Sequence, residues 1–426
     1  RGSKGSQEIN LNQKLNKFES QRIVFDYNKN QTGEIYEIIL IPNVKTPANY
    51  PSNDQTVLVV DSSEKVRVTG VGGSSGGTGF CIENWNCTNY GSCVAGRNNR
   101  TCYDLNNCGT ELAKPQESAD CDMDINFDFY SWDPVGSEPK DHAIIKNGNR
   151  YHVFFIRGFG GSWSVDPEQD DFGHAVSLNL TDWTITNPII PVGPAGSWDS
   201  KNVWAPHVIE YNGLYYMFYA GVNYSSAFPA KNIQQIGLAT STDLYNWNKY
   251  SGNPIMNCNF SWAIWSPGQD WNATCRDPMV IRDDSNNRWL MYFTAEIYDP
   301  SKSPKDREVI GIANSSDLYH WSDLSYIAID NEYGVVESPF VLKHDSKYIL
   351  FYSKYSGFAN CTSNDLVSGW ICSGNLDLKP EVATEVINTG NNDYLTSIKW
   401  QASNRYYLYI RRINWTGDAS FILGGP

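Results

Sequence analysis

Apolar and aromatic side chains alternate with polar ones in short bursts from about Phe127 to the end of the chain, and each burst follows a turn signal. Five of them read NGNRYHVFF (147–155), YNGLYYMFYAG (211–221), SNNRWLMYFTA (285–295), HDSKYILFYS (344–353) and ASNRYYLYI (402–410). The Asn, Gly, Asp and Ser residues that lead each burst are turn formers, whereas the Tyr, Phe, Trp and Ile that follow suit a pleated, half-buried strand. A second motif follows the first four: HAVSLNLTDW ending at Trp183, IGLATSTDLYNW at Trp247, IGIANSSDLYHW at Trp321 and CTSNDLVSGW at Trp370. Each unit therefore holds several strands. The starts of the first motif fall about 58 to 74 residues apart, the size of a four-stranded blade with long loops. No helical periodicity of comparable strength interrupts them. The pattern predicts an all-β chain in which residues 123–426 form a five-bladed β-propeller.

Upstream the pattern changes. Residues 1–69 carry β-branched runs at Arg22 to Tyr27, Tyr36 to Ile41, Thr56 to Val60 and Lys65 to Thr69, separated by Asn, Pro, Ser and Gly. They predict a small N-terminal β module with a thin core, suited to docking on a neighbour or to exchanging a strand with one, and so to self-assembly. Residues 70–79, GVGGSSGGTG, read as a flexible linker. Residues 80–122 are too short to bury a core and hold six cysteines, Cys81, Cys87, Cys93, Cys102, Cys108 and Cys121, so bridges must hold this disulfide-rich module together. Six cysteines allow fifteen pairings, and spacing alone chooses none of them.

Composition narrows the function. Asp and Glu total 47 against 33 Lys and Arg, a net charge of −14, with no basic block to displace counterions, so a nucleic-acid partner is not expected. No stretch approaches the roughly 18–20 apolar residues of a membrane span. The four remaining cysteines fall into two close pairs, Cys258/Cys275 and Cys361/Cys372, without the doubled spacing of a zinc site, so disulfides are expected and a metal site is not. Persistent disulfides point to an oxidising compartment, hence to a secreted or cell-surface protein. Ten N-x-S/T sequons agree with that address: Asn30, Asn86, Asn99, Asn179, Asn223, Asn259, Asn272, Asn314, Asn360 and Asn414.

Propeller blades bring distant parts of a chain to one channel mouth, so carboxylates at equivalent blade positions are the natural candidates for chemistry. Three stand out, and they are read as occupying one shared place at the start of the innermost strands: Asp141 in KDHAII, Asp277 in CRDPMVI and Glu337 in VVESPFVL. The second blade offers WAPHVI, with His207, instead. Glycoside cleavage needs one carboxyl protonated to serve the leaving oxygen and one ionised to activate water or attack carbon, and a third can raise the acid's pKa. An acid in blade one, W-A-P in blade two, R-D-P in blade three and E-S-P in blade four resemble the pattern shared by glycoside hydrolase family 43 and its relatives, families 32, 62, 68 and 117. The resemblance covers about residues 127–426. It implies Asp141 as general base or nucleophile, Asp277 as the residue that tunes its partners, and Glu337 as general acid. No cofactor is required for such chemistry, and the resemblance leaves room for a structural calcium ion in the channel. His207 stands where the family usually has an acid after W-A-P, and His142 where it usually has a Pro.

Around this trio, Trp204, His207, Arg276, His142 and His174 are the expected substrate-binding residues. Trp132, Trp163, Trp198, Trp262, Trp265 and Trp271 offer further faces for sugar rings, whereas Tyr216, Phe218, Tyr292 and Phe351 are expected in the core. The cysteine module, with Trp85, Arg97 and Arg100, resembles a thrombospondin type 1 repeat, in which Trp and Arg side chains stack; it would serve as an adhesive stalk or a spacer. Two functions follow: a secreted glycosidase acting on furanosidic linkages of a polysaccharide, or a glycosylated cell-surface or filament-forming subunit whose propeller binds glycan.

Overall fold

The computed structural model describes residues 22–24, 37–39, 60–62, 65–67, 83–111, 113–134, 138–158, 169–224, 232–266, 273–299, 301–302, 306–329, 335–354, 357–375, 381–401 and 405–425. The chain divides into two compact units, Arg1–Cys121 and Asp122–Pro426. The linker expected at 70–79, Trp163, Trp271, Cys81, Asn30 and Asn272 lie outside the described residues.

In the first unit the strands Arg22–Val24, Glu37–Ile39, Val60–Ser62 and Lys65–Arg67 pair in order as one antiparallel sheet; three lie within predicted runs, and Val60–Ser62 meets the run at Thr56 to Val60 only at Val60. The cysteine module holds two short ladders, Trp85–Cys87 with Cys102–Asp104 and Arg97–Asn99 with Ser118–Asp120. Cys87–Cys102 and Cys93–Cys121 are bridged, and Cys108 is also disulfide-bonded. Buried Glu83 organises the module by accepting hydrogen bonds from the Trp85 indole and the Ala113 amide. The cation over the Trp85 ring is Lys114, and Arg100 lies over Tyr90, so the expected Trp–Arg stack does not form among the described residues.

The second unit is five sheets. Blade one holds Glu138–Asn147, Arg150–Gly158, Phe172–Ser177 and Thr184–Ile185. Blade two holds Asn202–Tyr211, Leu214–Tyr224, Asn232–Ser241 and Asn248–Lys249. Blade three holds Cys275–Asp283, Arg288–Glu296, Glu308–Ser315 and Ser322–Ile327. Blade four holds Val336–His344, Lys347–Lys354, Gly357–Ser363 and Ile371–Asn375. Blade five closes the ring: Glu381–Asn388, Asp393–Gln401 and Arg405–Gly417 are followed by Ser420–Leu423, and Phe129–Trp132 from the front of the unit pairs with Leu408–Arg411. Disulfides Cys258–Cys275 and Cys361–Cys372 join the expected pairs.

Tyr216, Phe218, Tyr292 and Phe351 are buried between blades as the aromatic pattern predicts. The bursts at 147–155, 211–221, 285–295 and 344–353 lead into the second strands of blades one to four. The fifth, at 402–410, leads into the third strand of its blade; the second is Asp393–Gln401, whose YLTSI stretch has too few aromatics to match the pattern.

The second motif is a four-fold repeated turn. In the first three copies Leu180, Leu244 and Leu318 adopt left-handed backbone, sit buried, and give their carbonyls to the indole N–H of Trp183, Trp247 and Trp321 at 2.9–3.0 Å. Ser and Asx side chains satisfy the turn amides, as Ser241 and Asp243 do for Leu244 and Tyr245. Blade four has one extra residue between Leu366 and Trp370. Its indole N–H is left without a partner, and the Tyr292 hydroxyl takes the Leu366 carbonyl. Trp198, expected to face sugar, fills the space over Gly221 and Gly237, where a Cβ would come within 2.1 and 2.3 Å of its ring.

The closing blade depends on a buried ion pair. Arg411, 3% exposed, donates to both oxygens of fully buried Glu381 and to the Gly424 carbonyl. Removing one member of such a pair strands a charge, whereas replacing both with apolar groups need not. Arg411→Met is expected to lower the unfolding free energy in urea by about 3–5 kcal/mol, and adding Glu381→Met to recover much of the loss. Equal losses in the single and double variants would show that the pair does not carry the closure.

Candidate active site

The inner strand of every blade breaks its pairing at the same level. Register shifts fall between Lys140 and His142, Trp204 and His207, Arg276 and Met279, Glu337 and Phe340, and Val382 and Glu385. Three of the skipped pairs end in proline, Ala205-Pro206, Asp277-Pro278 and Ser338-Pro339, and a residue without an N–H loses nothing by leaving a ladder. Ala205, Asp277, Ser338 and Ala383 adopt left-handed backbone there, with φ between 47° and 57°. This conformation costs a non-glycine residue on the order of 1 kcal/mol. The breaks converge on one pocket lined by Asp141, Asp277, Ser338, His142, His207 and Glu385, among others.

Aligned on these breaks, Asp141 and Asp277 are equivalent, but Glu337 is not. It precedes the break, in register with Arg276, and Ser338 takes the place of the aspartates. The offset has a chemical result, because Arg276 and Glu337 then face each other across the gap between blades three and four. Arg276 Nη2 lies 3.0 Å from Glu337 Oε2 and 2.9 Å from Glu308 Oε1, while its Nε is 3.3 Å from Asp277 Oδ2. That same Asp277 oxygen accepts the Thr294 hydroxyl at 2.9 Å and the Ser338 amide at 3.1 Å. Asp277 is thus locked, and through Ser338 it grips the backbone beside Glu337.

Charge follows from this layout. Burial opposes the Arg276 charge, yet Glu308, Asp277 and Glu337 together outweigh it and hold the guanidinium protonated. Asp277 is raised to about 6 by burial, with Arg276 pulling the other way. Asp141 is pushed up to about 8, first by burial and then by the charges of Asp277 and Glu337.

Beneath the acids the channel is stitched by side chains. His142 Nε2 meets Thr396 Oγ1 at 2.6 Å, joining blades one and five. His207 Nδ1 meets Glu385 Oε1 at 3.1 Å across the channel, its Nε2 meets the Val280 carbonyl at 3.2 Å, and Glu385 Oε2 accepts the Ile144 amide at 2.7 Å. Both ring nitrogens of His207 therefore face acceptors, and the pair must share a proton, as imidazolium with carboxylate or as neutral imidazole with carboxylic acid. Burial pushes the Glu385 carboxyl upward while His207 pulls it down. A hard cation such as calcium wants six to eight oxygen ligands. Among the described residues no three His, Cys, Asp or Glu side chains cluster to hold an ion, and both Glu385 oxygens are engaged by protein partners.

The structure gathers Asp141, Asp277, Glu337 and Arg276 at the mouth. His142 and His207, expected to bind substrate, are wall pins with nitrogens committed to protein partners, although His142 Nδ1 has none. His174 is elsewhere: it is fully buried between blades one and two, 3.0 Å from His152 and stacked on Phe154, so it does not reach the channel. Trp204 stands immediately before the break in blade two, in register with Arg276 and Glu337, and its buried indole N–H has no acceptor. Trp132 is buried in the core between blades one and five, whereas Trp262 and Trp265 pack against the core between blades two and three, their indoles bonded to Asp323 and the Gln234 carbonyl. Asn360, a sequon residue, is 6% exposed within blade four, which leaves no room for a glycan; Asn86, Asn99, Asn259 and Asn414 are exposed. Sequence reasoning missed Glu308, Thr294 and Glu385. Their side-chain contacts in the folded ring reveal them, since each sits in an otherwise ordinary strand pattern.

A family model described as glycosyl hydrolases family 32 N-terminal domain matches residues 139–418. A probable arabinan endo-1,5-alpha-L-arabinosidase A of Neosartorya fischeri is 28% identical over 176 residues, 40% of this chain and 47% of that protein. A levanase of a Bacillus species is 30% identical over 173 residues, 38% of this chain and 17% of the enzyme. The chain thus spans less than half the length of these relatives. In shape it is similar to a thermostable family-43 glycoside hydrolase, with a TM-score of 0.53 and 18% identity, covering 68% of this chain and 94% of that one. With a family match that takes in nearly all of the five sheets, the chain belongs to glycosyl hydrolase family 32 through its N-terminal-domain propeller.

Proposed function

We infer that the propeller is a secreted glycoside hydrolase that cleaves furanosidic linkages in arabinan- or fructan-type glycans. The observation that carries this reading is that Asp141 and Asp277 line one pocket while a single arginine ties Glu337 to Asp277, close enough for both acids to bear on Asp141. The relatives act, by their names, on arabinan and levan, both furanose polymers. The disulfides suit an oxidising compartment.

In this reading Glu337 donates the proton to the leaving oxygen, Asp141 works on the opposite side as base or nucleophile, and Asp277 holds the acid's backbone and the arginine in place. The free pocket starts from the other arrangement. Asp141 has no cation in contact and holds its proton, while Arg276 attracts the negative charge of Glu337. A sugar hydroxyl donating to Asp141 would stabilise its carboxylate. Protonation here belongs to the cluster as a whole.

Reducing-sugar release from arabinan, levan, inulin and sucrose tests the reading. The wild type is expected to release sugar from at least one, and Glu337→Gln and Asp141→Asn to lose roughly 10²-fold or more in kcat while keeping the fold. Wild-type turnover that survives both substitutions would place the chemistry elsewhere.

Stability should carry the opposite mark. Asp141 has an ordinary value of 3.8 and a folded value of about 8, so between them the folded chain holds a proton that the unfolded chain has released. Its contribution is therefore present at low pH and lost as pH rises through that window. Asp141→Asn removes the titration, and its thermal midpoint should stand near the wild type's at pH 4 and above it at pH 8. Midpoints that run parallel from pH 4 to pH 8 would contradict the burial of an isolated carboxyl at this position.

A further inference from the structure

Glu308 lies in the third strand of blade three, away from the three inner-strand motifs, and its side chain is nearly buried. Oε1 accepts from Arg276 Nη2 at 2.9 Å and Oε2 accepts the Val336 amide at 3.1 Å. The first contact is made by the same nitrogen that donates to Glu337 Oε2 at 3.0 Å; the second fixes the residue immediately before Glu337. One carboxylate thus holds both the arginine that faces the acid and the backbone that carries it.

We propose that Glu308 is a positioning residue that sets the proton affinity of Glu337, by taking up part of the Arg276 charge and anchoring the strand on which the acid stands. Nη2 has two hydrogens, and the geometry gives one to each glutamate. Without Glu308 the whole guanidinium would turn its charge on Glu337 and Asp277, and a carboxyl so paired would resist holding a proton. With Glu308 in place, a second anion stands within two hydrogen bonds of Glu337, and its repulsion favours the protonated form that an acid catalyst requires. The other charged groups around the pair are Glu296, in register with Glu308, and Lys354, in register with Val336. Asp277 and Asp141 face Glu337 from blades three and one, and Lys140 stands next to Asp141 in sequence. None of these takes the second hydrogen of Nη2.

The assignment of Glu337 as the acid rests on the proposed function, so the test reads the proton directly. Carboxyl carbon-13 NMR of glutamate-labelled protein, with the Glu337 signal identified by its absence in Glu337→Gln, follows that carboxyl against pH. Glu308→Gln is expected to lower its midpoint by about two pH units, from two anions within hydrogen-bond range of one nitrogen at an effective dielectric near 20. Glu308→Asp keeps the charge beside Arg276, and its midpoint should fall much less than that of Glu308→Gln. An unmoved midpoint in Glu308→Gln overturns the proposal whether or not the protein hydrolyses any glycan. If Glu308→Gln does not fold, a Glu308→Asp midpoint that falls as far as about two units does the same. Where the wild type turns over, the alkaline limb of kcat/KM should move with the NMR midpoint; a uniform loss at every pH would mark Glu308 as structural alone. Absence of turnover in the wild type counts against the functional reading and leaves the NMR result standing.

Discussion

Everything at the channel mouth depends on a break in backbone pairing that recurs in all five inner strands. A regular strand would point successive side chains alternately into the two neighbouring inter-blade layers. Skipping one or two residues turns the side chains at that level toward the channel instead. The cost is left-handed backbone at Ala205, Asp277, Ser338 and Ala383. Proline at 206, 278 and 339 limits that cost, because no ladder N–H is abandoned. The rest of each blade is ordinary by comparison: aromatic second strands filling the inter-blade layers, and outer turns in which a buried leucine is covered by tryptophan.

Above the breaks, a single guanidinium is shared by Asp277, Glu308 and Glu337, and Asp141 stands apart from it. Burying four carboxylates near one another would be prohibitive without this cation. Below the breaks, His207 and Glu385 tie blade two to blade five across the channel, and His142 ties blade one to blade five. The channel floor is thereby rigid and already hydrogen-bonded.

The five-fold β pattern was legible because aromatic strands and Ser-Asx-Leu turns repeat with little drift, and the three acids because each sits beside a proline or a charged neighbour in a strand start. What escaped has definite physical causes. The fifth repeat was counted as equivalent to the other four, although it lies on the third strand of its blade, because Tyr406 to Ile410 carry the aromatic signal that the true second strand lacks. Glu337 was set in register with Asp141 and Asp277 because a one-residue offset at a bulge leaves no mark in a string of letters. Glu308 and Glu385 look like solvent-facing acids of a strand until the ring closes around them. His174 and several tryptophans looked available to substrate because a lone polar or aromatic residue near a strand start reads the same whether it faces the channel or the inter-blade core.

The most direct test of the central claim, that Asp141 acts on the sugar from the face opposite Glu337, is azide rescue of Asp141→Gly with 4-nitrophenyl α-L-arabinofuranoside, whose leaving group needs no acid. If the account is right, the variant is inactive alone, azide restores nitrophenol release, and NMR of the product shows a glycosyl azide. If the wild type hydrolyses this substrate but azide neither restores release nor enters the product, the carboxylate that works at the anomeric carbon is not Asp141.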